Sequence, residues 1–279
     1  MLYIVATPIG NLMDLSYRAI DILQQVDLIV AEDTRRSQIL LNHYNINTKT
    51  VNLHEHNEKQ IIDKLLALMQ QGQKIALISD AGTPLISDPG YHFVRQAHLA
   101  KIPISPIPGA SAVIAAISVS GLATDQFIFI GFLPTKLQQK EKALLNLSLE
   151  RRTMVFFESP HRLLETVDCM QKAFTPDREA TFCRELTKKF ETIMQDNLAN
   201  IYNFILSDQS HQTKGEIVIV IGGKKTNKDT EGMQQVDPKI HEMLQILLTE
   251  LPLTKAASIA AKITGISKKI LYDYWLSLS

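Results

Sequence analysis

Short apolar runs alternate with amphipathic stretches from the first residues of the chain, and the two periods predict the elements directly. Apolar runs at residues 2–6, 28–31, 50–53, 74–78 and 104–107 read as strands. Between them, residues 17–25, 37–44, 58–71 and 90–100 carry the 3.6-residue spacing of helices. Residues 110–119 are almost wholly apolar and small, which predicts a helix buried against the sheet. Strand–helix alternation of this kind is the mark of βαβ units and a mainly parallel sheet. A second block follows, with strands expected at 127–130, 153–157, 179–184 and 216–221 and helices at 138–147, 163–172 and 198–206. Residues 224–237 are polar and without periodicity, as in a linker. In the remaining stretch an Ala-rich helix ends near Thr264-Gly265 and Ser267 is placed to cap the next, a helix-turn-helix pattern over 254–272. The expected domains are therefore 1–122, 123–223, the linker 224–237 and a helical tail 238–279.

Composition narrows the class. At 279 residues, 45% hydrophobic and 21% charged, the chain suits two α/β domains and a tail in a soluble protein. Formal net charge is zero, so nucleic-acid contact has to be local rather than driven by a global basic field. The tail from Lys255 onward is an exception, with Lys255, Lys262, Lys268 and Lys269 against Asp273. Two cysteines, Cys169 and Cys183, suit a reducing compartment. A start directly on a strand, with no leader-like run and no apolar stretch of membrane length, makes a cytoplasmic protein the expectation.

The chemistry should sit in the loops that follow strands, because ligands of open α/β sheets bind outside the strands' carboxyl ends. The most ordered of these is Ser79-Asp80-Ala81-Gly82-Thr83-Pro84-Leu85-Ile86-Ser87-Asp88-Pro89-Gly90. Asp80 there can accept from a ribose hydroxyl or an ammonium group, and Gly82 allows close backbone approach to a ligand. Asp88 and Pro89 read instead as an N-cap and a first helical residue. Loops of similar composition are Thr7-Pro8-Ile9-Gly10-Asn11-Leu12, Glu32-Asp33-Thr34-Arg35-Arg36, Pro108-Gly109-Ala110-Ser111-Ala112 and Glu158-Ser159-Pro160-His161-Arg162. No Gly-x-Gly-x-x-Gly motif, phosphate-binding Gly-Lys-Ser/Thr loop or nucleophile elbow is present. His54-Glu55-His56 lacks the helical spacing of a zinc pair, so no metal site is expected.

Taken together, these ordered motifs resemble the ribosomal RNA small subunit methyltransferase I family, over a match running from the first strand to about Gly222. The resemblance implies the tetrapyrrole-methylase fold, two α/β domains with a cofactor cleft between them, and S-adenosyl-L-methionine as cofactor. It further implies 2′-O-methylation of a cytidine in the decoding region of 16S ribosomal RNA, and a homodimer. It places cofactor contacts in the loop of Asp80, Gly82 and Thr83 and in the Pro-Gly turn of Ser111 and Ala112, where small residues and a helix N-terminus suit close approach. Phe157 is expected beside the cofactor, its plain alternative being a core residue of a buried strand. A ribose hydroxyl needs a proton acceptor, for which Glu32, Asp33, Glu158 and Glu185 are the candidates at strand ends. Arg35, Arg36, Arg162, Arg184 and Lys188 are candidates to hold phosphate. Asp33, Arg35 and Glu158 are the catalytic expectation, against helix capping by Asp33 and by Ser159-Pro160. Two other readings stay open: a tetrapyrrole methylase of the same fold, and a non-catalytic ribosome assembly factor that uses its tail.

Overall fold

The computed structural model describes residues 1–53, 58–207, 209–225 and 238–276. They fall into two compact units, Met1–Lys224 and Lys225–Ser279. His54-Glu55-His56 and residues 226–237 of the expected linker lie outside the described residues.

The first unit opens with strands β1 (Leu2–Val5), β2 (Leu28–Ala31), β3 (Thr50–Asn52), β4 (Ile75–Ile78) and β5 (Ile104–Ile107), in the order β3-β2-β4-β1-β5 with every pairing parallel. Strands β2 and β4 are buried along their whole length, which is why they read as continuous apolar runs rather than alternations. Helices α1 (Tyr17–Gln25) and α2 (Thr34–His43) cover one face through Ala19, Leu23, Leu40 and Leu41. Helices α3 (Glu58–Gln70) and α4 (Tyr91–Leu99) cover the other through Ile62, Leu65, Met69, Phe93 and Ala97.

The second sheet comprises β6 (Phe127–Phe132), β7 (Thr153–Glu158), β8 (Glu179–Arg184), β9 (Thr192–Asn197) and β10 (Ile217–Ile221), in the order β6-β7-β10-β8-β9. Only β6 and β7 pair in parallel; the other pairings are antiparallel. The second sheet is thus mixed, where the first is all parallel. The 185–191 connection is too short for the crossover that parallel neighbours need, so β8 and β9 form a hairpin. The periodicity missed β9 because its alternation is broken: apolar Ile193 is exposed, while polar Thr192 and Asp196 are half-buried on the face where Met194 packs on the core. Strand β6 runs two residues further than expected, across a register shift at Gly131, whose φ of +74° only glycine adopts freely. The shift carries Phe132 to the rim of the cleft described below.

Helices α6 (Leu137–Asn146), α7 (Leu163–Phe174) and α8 (Leu198–Ser207), with the short α9 (Gln209–Gln212), follow the second block's strands. Leu144, Val167, Met170, Phe174, Ile201 and Ile205 pack on one face of that sheet with Phe156, Phe182 and Ile219. Its other face presents Val155, Cys183, Val218 and Val220 to Ile9 and to Val113, Ala116 and Ile117 of α5 (Ala112–Val119). The apolar helix expected against the first sheet therefore packs on the second sheet instead, and it is not wholly buried, since Ile114 is 55% exposed. This core ties Ile9, in the loop after β1, and α5, which follows β5, to the second sheet.

The second unit has helices α10 (Pro238–Glu250), α11 (Leu253–Thr264) and α12 (Lys268–Leu276) around Leu244, Ala257, Ala260 and Leu271. Gly265, with φ +74°, ends α11, and the Ser267 hydroxyl accepts from Ile270 N–H at 3.3 Å to start α12.

Candidate active site

Loops after β1, β2, β4, β5 and β7 meet the start of β10 around a cleft of about 450 Å³, within the size range of small-molecule sites. Asp80, Gly82, Thr83, Ser111, Ala112 and Phe157, the expected cofactor residues, all line it. The loops are tied to one another by backbone. Thr7 N–H donates to the Gly82 carbonyl at 2.9 Å, and Gly82 N–H returns a bond to the Thr7 carbonyl at 3.0 Å. Gly82 has φ +80°, and a Cβ on it would sit 3.2 Å from the Ile9 side chain. Thr83 hydroxyl donates to the Ala110 carbonyl at 3.1 Å, joining the β4 loop to the Pro-Gly turn.

The acidic side of the cleft is built from three carboxylates and one arginine. Asp80 Oδ2 accepts from Arg36 Nη1 at 3.0 Å, and its Oδ1 accepts from Asp33 N–H at 3.2 Å. Asp88 is half-buried; loss of water pushes its carboxyl up to about 6, against a Ser79 hydrogen bond that favours the anion and with Asp80's charge adding to the rise. Glu32 is raised as well, by burial first and then by the charges of Asp88 and Asp80. Asp88 is not the expected N-cap. Gly90 takes that place with φ +117° and α4 starts at Tyr91, so Asp88 stays in the loop and lines the cleft.

Asp33 and Arg35 are placed differently. Asp33 caps α2, accepting from Arg35 N–H at 2.9 Å, and the Arg35 guanidinium returns on the same carboxylate at 2.9 and 3.1 Å. Those bonds hold the Asp33 carboxyl down at about 2. The Arg35 side chain is 90% exposed, and the cleft lining passes through Glu32 and Arg36 rather than through this pair.

The opposite wall is aromatic and tightly hydrogen-bonded. Phe157 meets Phe129 and Phe132 edge to face, with ring centroids 4.9 and 5.6 Å apart. Glu158, at the end of β7, has a side chain that is 0% exposed. Its Oε1 accepts from Ser159 N–H at 2.7 Å and its Oε2 from the Thr166 hydroxyl at 2.5 Å. Arg162 Nη2 lies 3.3 Å from Oε2 and also donates to the Leu133 carbonyl at 2.7 Å. Ser159 occupies the cap position of the Pro160–Arg162 turn without a side-chain cap bond. Arg184 is likewise committed inside the protein, to the Phe190 carbonyl at 3.0 Å. Glu185 lies outside the lining; burial would raise its carboxyl, but Lys188, at 2.8 Å, and Glu216 N–H bring it below the usual range. Of the arginines and lysine proposed for phosphate, Arg35 and Arg36 are therefore the exposed ones, at 90% and 73% of the side chain.

Sequence reasoning missed Phe132, Gly215 and Glu216 and discounted Asp88. The antiparallel insertion of β10 aligns Ile217 with Glu158 and Arg184, so the beginning of a strand reaches the cleft, where only strand ends were expected.

Comparison with known proteins agrees with this architecture. Residues 1–202 match the family described as Tetrapyrrole (Corrin/Porphyrin) Methylases, and residues 234–279 match the RsmI C-terminal HTH domain. Among solved structures, diphthine synthase superposes with a TM-score of 0.60 at 14% identity, covering 81% of this chain and 91% of that one. The cobalamin biosynthetic enzyme cobalt precorrin-4 methyltransferase gives 0.58 at 17%, covering 79% and 94%. Uroporphyrin-III C-methyl transferase from Thermus thermophilus, complexed with S-adenyl homocysteine, gives 0.55 at 15%, covering 79% and 96%. Relatives named Ribosomal RNA small subunit methyltransferase I are 49% identical in Pasteurella multocida (99% of this chain, 96% of that protein) and 47% identical in Pseudomonas aeruginosa (98% and 95%). The distant structures share the fold and the near relatives share nearly the whole chain, so this protein belongs to the tetrapyrrole methylase family and, within it, to the ribosomal RNA small subunit methyltransferase I group.

Proposed function

We propose that this protein delivers the methyl group of S-adenosyl-L-methionine to the 2′-hydroxyl of a cytidine in the decoding region of 16S ribosomal RNA. Family membership carries the coarser part, methyl transfer from that cofactor to RNA of the small subunit; the cytidine and its oxygen are the finer step. When bound, the cofactor supplies a methyl carbon on a positively charged sulfur. The cleft fits such a group: Gly82, Ser111 and Ala112 line it with little side-chain bulk, Asp80 offers carboxylate oxygens to hydroxyl or ammonium donors, and Phe157 gives an apolar face.

One observation carries the 2′-O reading. A ribose hydroxyl is a poor nucleophile until its proton is taken, and Asp88, with a carboxyl near 6, shares the cleft with the cofactor residues. Asp88, supported by Glu32, is the acceptor we assign. Asp33 is too weak a base at neutral pH with its carboxyl at about 2. The exposed Arg35, which Asp33 holds, suits an RNA phosphate at the rim. Lys268 and Lys269 at the start of α12 form a second phosphate contact on the tail. Homodimerisation belongs to the same reading, supported by exposed Met13 (83%), Tyr17 (89%) and Ile114 (55%), and light scattering tests it. Residence in the cytoplasm with the ribosome also belongs to this reading.

Labelled cofactor and small subunits from a strain lacking the enzyme test the proposal. Methyl label on a cytidine 2′-oxygen is expected. Label on a base, or on an offered porphyrinoid in preference to RNA, would overturn it.

A further inference from the structure

We propose that Lys140 and Thr166, which lie outside the cleft lining, are positioning residues for methyl transfer, acting through Glu158 to fix the wall formed by Phe132 and residues 157–160. Lysine is almost never fully buried unless paired, yet the Lys140 side chain is 0% exposed. Its Nζ lies 2.5 Å from Glu165 Oε1 and 3.0 Å from Thr166 Oγ1. An ammonium group only donates, so the Thr166 oxygen must accept, and its single proton is left for another acceptor. Glu158 Oε2 takes that proton at 2.5 Å. The chain of bonds thus has one polarity, from a buried cation on α6 through a hydroxyl on α7 to a buried carboxylate at the end of β7.

From Glu158 the connection reaches both strands of the wall. Its Oε1 holds Ser159 N–H at 2.7 Å, next to Pro160 in the cleft lining. The Arg162 guanidinium beside it donates to the carbonyls of Leu133, at 2.7 Å, and Pro134, at 3.3 Å, directly after Phe132. Stapling α6 to α7 would need only the Lys140–Glu165 pair, whose carboxylate side chain is 52% exposed. The second bond, to Thr166, also links α6 to α7, but a staple does not require it to fall on the hydroxyl that holds Glu158. That bond sets the direction of the Thr166 proton and keeps a donor on Glu158. With every carboxylate oxygen engaged and the side chain out of contact with solvent, Glu158 acts here as an anchor and not as the proton acceptor.

The test uses the full chain and the variants Thr166→Val, Thr166→Ser and Lys140→Met. Three quantities are measured at a temperature where each is folded: melting temperature, calorimetric affinity for S-adenosyl-L-methionine, and kcat for methyl incorporation into small subunits at saturating substrates. A wall misplaced by a fraction of an ångström should cost Thr166→Val about tenfold in kcat or in cofactor affinity per folded molecule. Thr166→Ser, which keeps the hydroxyl, should recover to within about twofold of wild type. Lys140→Met should fall with the valine variant; if it does not fold, the threonine pair decides alone. Wild-type kcat and affinity in folded Thr166→Val, or a serine variant as impaired as the valine one, would overturn the assignment. The inference rests on the methyl-transfer reading only for kcat. A wild type that labels no small subunit sinks that reading, while cofactor affinity still decides the relay.

Discussion

Asp88, in a loop, and Glu158, at the end of β7, are both acids that line one cleft, and their surroundings set them apart. On the wall built from the parallel sheet, Asp88 has lost water and gained little beyond the Ser79 hydroxyl, with Asp80 and Glu32 close by, and its carboxyl climbs to about 6. On the wall built from the mixed sheet, Glu158 has lost all contact with solvent but receives bonds from Ser159, Thr166 and Arg162. Burial alone therefore does not decide what a carboxylate does; the donors brought to it do. The first wall also stores backbone strain beside Asp88, since Leu85 (φ +73°) and Ser87 (φ +66°) are left-handed without being glycine, about 1 kcal/mol or more each. One wall is poised to exchange a proton and the other to hold still.

The hardest test of this contrast removes the anchor. Glu158→Ala leaves the Arg162 guanidinium and the Thr166 hydroxyl without their shared carboxylate, and loss of a buried partner costs about 3–5 kcal/mol of stability in urea unfolding. A loss below about 1 kcal/mol would mean that packing, not the carboxylate, holds the second wall.

On the first wall, Asp80→Ala should leave melting nearly unchanged while weakening cofactor binding by about 1.5–3 kcal/mol, read by calorimetry. Equal affinity in variant and wild type would remove Asp80 from the cofactor site.

Asp88→Asn sharpens the comparison through pH. The native carboxyl, near 6, lies above the ordinary 3.8, so its contribution to stability is complete below about 4 and is lost as pH rises through about 6. Asparagine stays neutral throughout. The variant should match wild type near pH 4 and be more stable at pH 7 by about 1–2 kcal/mol, the shift being discounted for water in an open cleft. Methyl transfer should fall in the same variant, and full activity with no acid limb near pH 6 would take the proton-acceptor role away from Asp88.

The smallest effect is expected where neither wall is touched. Replacing Lys268 and Lys269 by Ala should leave cofactor affinity intact and reduce the salt dependence of subunit binding by a slope of about 1–2. Unchanged salt dependence would leave the tail as a packing module.

Much of this molecule was legible in one dimension. Continuous apolar runs marked β2 and β4 because helices cover both their faces, and Thr264-Gly265 and Ser267 marked the turn between α11 and α12 by local capping alone. The strand-end loops carrying Asp80, Gly82, Thr83, Ser111 and Ala112 were readable for the same reason. Polar and glycine-rich residues interrupting an apolar strand have no place in a core. Where local signals competed, the reading went astray. Asp88-Pro89 has the composition of a helix start, but the left-handed Gly90 breaks the chain before α4 and leaves Asp88 facing the cleft.

Sequence by itself determined the alternation of elements, the capping turns and the loops where chemistry sits, because these depend on neighbours a few residues apart. Tertiary structure decided the rest: β10 inserted between β7 and β8, α5 packed onto the second sheet, and a lysine on α6 bonded to the hydroxyl that holds Glu158. Whether a carboxylate keeps its proton or gives it up depends on water excluded and donors supplied by residues far along the chain, and only folding brings those together.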